Sequence, residues 1–480
     1  MKTLLTTLFL SIFSFSALST HIMGGEIIAE NNGGNDYNVL LTIYRDTVGI
    51  PTDINQDFSV FDDSGNNIMN FSMTMDASAN HPIFGFQNGS LLPFFPYGVE
   101  IYFFSKTITL PGTGEYTITW DKCCRNGAIQ NLIDPLSNDM RLYTTVTVDP
   151  SQTNSTPYFM VKPVMYLPVN TPWQYNPLPF DVNGDSLSWS LGAPHQSSSS
   201  PTGSAIPGYT APPSDPSGMI SIDPVTGTIS WTASLLGNWV YTVICEEYRN
   251  GVKIGEIRRD MQFIVLPSGN LPRFMNFDKI PTENGYYFWD IEPGQYSELR
   301  LMASDLDIND NITFEAFGEP FILNNPLSFS QQATGLGNEI ETKLSWTPTT
   351  AEIKEDPYLV VLRLMDGSYM MDEALFIRVK KSNATMGLLD EQVQLGKIFP
   401  NPSRDVVNIP LNINESGNVN IKFFNIYGQL VLEKSDYFNI GNHMVLLPND
   451  LPAGQYTVTV DQESKHLGNQ AIVILSLIHI

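Results

Sequence analysis

The chain has 480 residues, 42% of them apolar and 11% aromatic, with 35 Gly and 33 Pro; that is more than one core usually organises, and it predicts several globular domains of short strands and many turns. With 25 basic against 50 acidic residues the formal net charge is −25, which argues against a nucleic-acid or anionic-membrane partner and favours cations. Only three cysteines occur, Cys123, Cys124 and Cys245, so the stability rests on apolar cores and not on a disulfide scaffold.

Residues 1–20, MKTLLTTLFLSIFSFSALST, carry one basic residue, Lys2, then an apolar run to Phe15 and the small-x-small stretch Ala17-Leu18-Ser19. That order predicts a cleaved secretory signal. The run is shorter than the roughly 20 apolar residues a spanning helix needs, and no other stretch predicts a transmembrane segment.

From 21 to 150 the sequence predicts a β domain. In DYNVLLTIYR the residues Tyr37, Val39, Leu41 and Ile43 share one face, the two-residue period of a strand. GVEIYFFSKTITL and GEYTITWDKC are separated by Pro111-Gly112-Thr113-Gly114, a hairpin break, and RLYTTVTV closes the segment.

Two further segments, 156–267 and 268–381, read as one module written twice. PFDVNGDSLSWSL aligns with ASDLDINDNITFEA, and GTISWTAS with TKLSWTPT. A repeat of about 110 residues rich in alternating strands fits an antiparallel sandwich better than a solenoid. Trp231 and Trp346, at matched positions, are expected as core anchors. Between the matched stretches of the first copy, HQSSSSPTGSAIPGYTAPPSDPSG is expected as a mobile surface loop. Residues 382–395 read as a linker and 396–476 as a small β-sandwich. The fold class is therefore all-β, tandem antiparallel sandwiches.

Three stretches in this last segment carry more: Pro400-Asn401-Pro402, then Asn425 to Val431 with Tyr427-Gly428, then Leu451 to Tyr456 with Gly454 and Tyr456. In this order they resemble the type A C-terminal sorting domain of proteins exported by the type IX secretion system. The resemblance implies a translocon in the outer membrane as partner and delivery to the outside of the cell, often with attachment to its surface. The ending Ala471–Ile480 departs from that family, whose members finish with a short strand carrying basic residues.

HIMGGEI, LLTIYRD and YTITWDKCCRNGAIQNL resemble the amino-terminal part of large surface proteins of bacteria using the same system, some of them associated with gliding motility. That family often has a cysteine directly after the YRD segment and another before it; here Thr47 follows Asp46 and no cysteine precedes Cys123.

For chemistry, Cys123-Cys124 offers a disulfide of some kind, with no nearby ligand spacing for a metal. The six histidines, His21, His81, His195, His443, His466 and His479, are scattered, without a zinc or nucleophile signature. The sequence thus names no catalytic residues, and an extracellular hydrolase centred on 21–150 is the competing reading. The acidic turns are the best candidate sites: Asp181, Asn183 and Asp185 in the first copy, Asp305, Asp307, Asn309 and Asp310 in the second. Clustered oxygen ligands suit Ca²⁺, but a twelve-residue EF-hand loop beginning at Asp181 or Asp305 would end at Gly192 or Ala316, not Glu. The turns instead resemble those of cadherin-like and immunoglobulin-like surface repeats, which implies calcium near domain junctions; turn formation by Asp and Asn alone is the plainer alternative. The expectation is a non-enzymatic surface protein for adhesion, or for binding a polysaccharide or protein ligand, or a spacer.

Overall fold

The computed structural model describes residues 22–475 except 50, 93–97, 164–165, 268, 308–309, 337, 368, 381–394, 404–405, 449–450 and 463–464. The signal segment 1–20, nearly all of the linker and Asn309 lie outside the described residues. What is described is all-β: 34 strands, and helix only as short 3₁₀ turns.

The first eight strands and four of the 156–267 segment, Tyr166–Pro168, Ser186–Gly192, Gly237–Arg249 and Val252–Leu266, share one twelve-stranded sheet. Its axis is Val252–Leu266, 15 residues long. One edge of that strand pairs with Gly237–Arg249 over its whole length. The other edge is divided among Met140–Val148, at Gly255 to Ile257, Ile22–Gly33, at Asp260 and Met261, and Tyr166–Pro168, at Ile264 to Leu266. A side chain at Gly24 would run into the Asp260 carbonyl, so glycine is what lets these backbones meet. The expected boundary at 150 therefore does not separate two sheets, because one strand is long enough to serve both segments.

Asp36–Asp46 shows what that sharing does to a strand. Tyr37, Val39, Leu41 and Ile43 are buried as the alternation predicts, within the core of the first segment. Thr42 and Tyr44, on the opposite face, are buried too, and Tyr44 belongs to the core that contains Trp173 and Trp231.

The internal repeat is visible as topology. In the first copy Tyr166–Pro168 runs parallel to Val252–Leu266, which pairs with Gly237–Arg249, which pairs with Ser186–Gly192. In the second copy Tyr286–Ile291 runs parallel to Met370–Val379, which pairs with Tyr358–Met365, which pairs with Thr313–Gly318. The opposing sheets match as well: Trp173–Tyr175 with Ile229–Trp231, and Ser297–Ser304 with Glu339–Trp346. Trp231 and Trp346 are buried in their respective cores, where an indole contributes a large apolar area.

The two copies are also joined through their interiors. Val361, Met365 and Met370 of the second copy pack into the core of the first, and Trp173 Nε1 donates to the Met370 carbonyl at 2.8 Å. At this junction Arg363 and Asp372 form a bidentate pair at 2.8 and 2.9 Å, 1% and 0% exposed. Arg363 also donates to the Lys162 carbonyl at 3.0 Å, and the Asn176 amide donates to Asp372 at 2.9 Å.

The 397–474 segment has its own core, centred on Ile409, Val458 and Val460. Its four-stranded sheet runs Leu430–Phe438, Gly417–Asn425, Gly454–Gln462, Lys465–Ile474, beside the pair Val406–Ile413 and Gly441–Pro448.

Candidate metal centre

Both acidic turns occupy the same place in the repeat, entering the strand that pairs with the long hairpin. In the first copy the register sets Ser186 against Tyr248 and Leu187 against Glu247. One step earlier, Asp185 meets Arg249, which donates to both its carboxylate oxygens at 2.7 and 2.5 Å. The turn is closed by the Asp185 amide, which donates to Asp181 Oδ1 at 2.8 Å.

This pairing brings Glu247 into the turn. Asp181, Asp185 and Glu247 each place a carboxylate oxygen within 4.8 Å of the others. Asp181 is 8% exposed and Glu247 0%. Each has one oxygen held: Asp181 Oδ1 by the Asp185 amide, Glu247 Oε2 by Asn154 Nδ2 at 3.1 Å. Among the described residues the other oxygen of each, Asp181 Oδ2 and Glu247 Oε1, is buried with no hydrogen-bond donor. Burial first, and the neighbouring Asp181 charge second, push the Glu247 carboxyl up to about 9. Burial likewise raises Asp181. Asn183 stands apart from the three: its Oδ1 accepts from the Ser155 amide at 2.8 Å and anchors the turn to the chain crossing between segments.

In the second copy Asp305, Asp307 and Asp310 come together within the same limit. Among the described residues Asp305 Oδ2 is buried without a donor, while Oδ1 accepts from the Asp307 amide at 2.7 Å and from Asn270 Nδ2. Asn270 lies at the start of the second copy, so this turn is tied to the chain that enters from the first. Asp310 is raised by desolvation and then by the Asp305 and Asp307 charges.

Cys123 and Cys124 are joined to each other as a vicinal disulfide, and Cys245 is a buried thiol whose ionisation burial opposes. The residues after the cysteine pair fasten the first segment to the next. Arg125, buried, forms a bidentate pair with Asp260 at 3.1 and 2.7 Å and donates to the His195 carbonyl at 3.0 Å. Asn131 donates to the Val240 carbonyl and accepts its amide. Arg259, also buried, clasps Glu26 at 3.1 and 2.8 Å. The Ser/Pro/Gly loop expected to be mobile is pinned by two arginines, Arg125 at the His195 carbonyl and Arg141 at the carbonyls of Ser200 and Pro201, the latter at 3.1 and 2.8 Å. Sequence reading missed Glu247 and this arginine set; the signal was charge inside strands, Glu246-Glu247 and Arg258-Arg259-Asp260, where alternation predicts apolar residues.

Two buried or half-buried histidines among the described residues serve the fold. His81 Nε2 bonds Thr42 Oγ1 at 2.9 Å, its Nδ1 faces the amides of Ile83 and Phe84 at 3.2 Å, and burial lowers it to about 3. His195 Nδ1 bonds the Thr202 carbonyl.

The residues read as an export signal fall into two groups. Asn401 bridges to the last strand, donating to the Ala471 carbonyl at 3.0 Å and accepting the Val473 amide at 2.8 Å. Pro402 is buried and Pro400 half-buried. Tyr456 is buried, with its hydroxyl donating to the Pro452 carbonyl at 2.7 Å, and Gly454 opens its strand. Gly428 has φ 74°, in a turn capped by Asn425 Oδ1, and Tyr427 at its tip is 81% exposed.

Residues 397–474 match the family described as the secretion system C-terminal sorting domain. No curated protein matches the chain. Among solved structures it is similar to Rst D1-D2, at 12% identity over 48% of this chain and 100% of that one, TM-score 0.16. It is similar to Escherichia coli alpha-2-macroglobulin activated by porcine elastase at 11% identity, covering 94% of this chain and 43% of that one, TM-score 0.16. It is similar to the BSP domain of a biofilm-associated protein at 9% identity, covering 96% and 82%, TM-score 0.14. These scores carry no argument about the fold. Among the described residues no helix is long and apolar enough to cross a membrane.

Proposed function

From the premise that the 397–474 segment sends this protein through the type IX secretion system to the cell surface or the extracellular space, we propose that residues 22–379 act there as a rigid interaction module. Its partner is a surface polysaccharide or protein, and the module performs no catalysis. One observation carries the interaction. Ile133 and Leu136 on one loop, and Leu235 and Leu236 on another, expose apolar side chains, and the two loops meet at the Ile129–Asn238 bridge. Exposed apolar side chains on two joined loops, in a body whose other large apolar residues mostly fill its cores, mark a contact surface. The stiff core supports that role, since a preformed surface loses little entropy on binding.

The test uses the exported full-length protein. In a bacterium that carries the type IX system, removal of 397–474 should leave the protein in the periplasm. The secreted protein should bind cells or an immobilised glycan or protein extract, and Ile133→Asp with Leu236→Asp should reduce that binding at least tenfold without changing the circular dichroism. Binding unchanged in the double variant, or hydrolysis of polysaccharide or peptide substrates by the purified protein, would overturn the reading.

A further inference from the structure

We infer that Asp181, Asp185 and Glu247 form a binding site for one divalent cation, calcium by its chemistry, which locks the acidic turn to the end of the long hairpin.

Three acidic side chains alone would not carry this. What carries it is that Asp181 Oδ2 and Glu247 Oε1 are buried in the cluster with no donor, in a fold that satisfies the second oxygen of each. A buried carboxylate oxygen without a partner costs stability unless a proton or a cation meets it. Charge sets the valence. Among the described residues only Asp185 of the three carboxylates has a cationic partner, Arg249, so Asp181 and Glu247, taken in their ionised form by a bound ion, present two negative charges for it to balance. The Asn154 amide, which donates to Glu247, adds no charge.

Geometry and donor type set the element. Calcium takes oxygen ligands at about 2.3–2.6 Å, so two ligands on opposite sides of the ion stand about 5 Å apart. Ligand oxygens within 4.8 Å of one another can surround it with small side-chain adjustments. Magnesium demands stricter octahedral geometry and keeps its waters, which suits an enclosed site poorly, and an all-oxygen set does not select zinc. The exterior of the cell supplies calcium at concentrations where extracellular modules bind it, with Kd in the range of about 10⁻⁴–10⁻³ M.

The cation would tie together three parts of the chain. Asp181 and Asp185 belong to the turn, Glu247 to the hairpin, and Asn154, bonded to Glu247 and Arg249, to the crossing from the first segment. The competing account is a proton shared between Asp181 and Glu247, and the experiment separates the two.

Full-length secreted protein, stripped with chelator, is titrated with CaCl₂ by calorimetry at pH 7 and 8, beside Glu247→Gln, Asp181→Asn and, as a control for the other turn, Asp305→Asn. The wild type and Asp305→Asn should both keep this site. Glu247→Gln and Asp181→Asn should each bind one calcium fewer, or bind it at least tenfold more weakly, and lose the rise in Tm that millimolar calcium gives. If Glu247→Gln does not fold, Asp181→Asn decides alone. Equal calcium binding in wild type and both variants would overturn the proposal. So would a wild type that takes no calcium while Glu247→Gln melts higher, the result expected of a shared proton. Neither outcome touches the loop surface proposed above, which is tested by partner binding.

Discussion

Asp372→Ala should loosen the junction between the two repeat copies more than any surface change can. The substitution removes both bonds from Arg363, leaving a guanidinium that is 1% exposed with the Lys162 carbonyl as its main partner. It also takes the acceptor from the Asn176 amide across the junction. Breaking a buried ion pair from one side costs about 3–5 kcal/mol, because the surviving charge stays buried. At 1.4 kcal/mol per factor of ten, that cost raises local opening by roughly two to three and a half powers of ten. The chain contains several cores, so one global unfolding free energy is poorly defined. Hydrogen exchange read by mass spectrometry is the better assay, following peptides across Trp173–Asn176 and Tyr358–Met365 in wild type and variant. Arg363→Met with Asp372→Leu is the companion, since an apolar replacement of both partners is often neutral or stabilising. Protection in Asp372→Ala within threefold of wild type would refute the reasoning, and so would a double variant as loose as the single one.

Three more outcomes follow from the same structure. His81 is held near 3 when folded against 6.5 unfolded, so the unfolded chain binds the proton in between; its contribution is present above pH 6.5 and lost as pH falls towards 3. Thermal scans from pH 6.5 to 4 should show a shallower fall in Tm for His81→Asn than for wild type, and parallel curves would contradict this. Thiol labelling should give no reaction in the native protein, one equivalent after denaturation from Cys245, and three after reduction, given the Cys123–Cys124 bond and the burial of Cys245. Asn401→Ala should destabilise the 397–474 unit by about 1–3 kcal/mol, since it strips two bonds from the last strand, whereas Tyr427→Ala, at an exposed turn tip, should stay within about 0.5 kcal/mol; chemical denaturation of the full chain with a probe in that unit compares them.

How far the sequence announces this molecule depends on how local each feature is. Alternation along Tyr37 to Ile43 predicts a strand with one buried face, and the structure has that face buried. The opposite face is buried because His81 covers Thr42 and because Tyr44 packs into a core built with Trp173 and Trp231, far along the chain, and no local period encodes that. The same distance hides the boundary at 150: Val252–Leu266 reads as the last strand of its own segment, yet one edge is long enough to hold two partners from another. The Ser/Pro/Gly loop was expected to move because its composition builds no core; Arg125 and Arg141 hold it through carbonyls, and backbone acceptors leave no mark in composition.

The acidic site shows the same limit and its remedy. Asp181 and Asp185 could be read as a candidate pair because they lie in one turn, where side-chain oxygens converge by local geometry. Glu247 could not be assigned to them by spacing, since only the register of Ser186–Gly192 on Gly237–Arg249 brings it there. What the sequence did offer was an anomaly: Glu246 and Glu247 interrupt a strand otherwise built of Trp239, Val240, Tyr241, Val243 and Tyr248. Consecutive residues of a strand face opposite sides, so one of two adjacent glutamates must point inward whenever one face is covered. The inward one is Glu247, and a charge buried by that rule has to be met by something. Its partner is therefore to be sought wherever the neighbouring strand begins, which in this fold is the turn that holds Asp181.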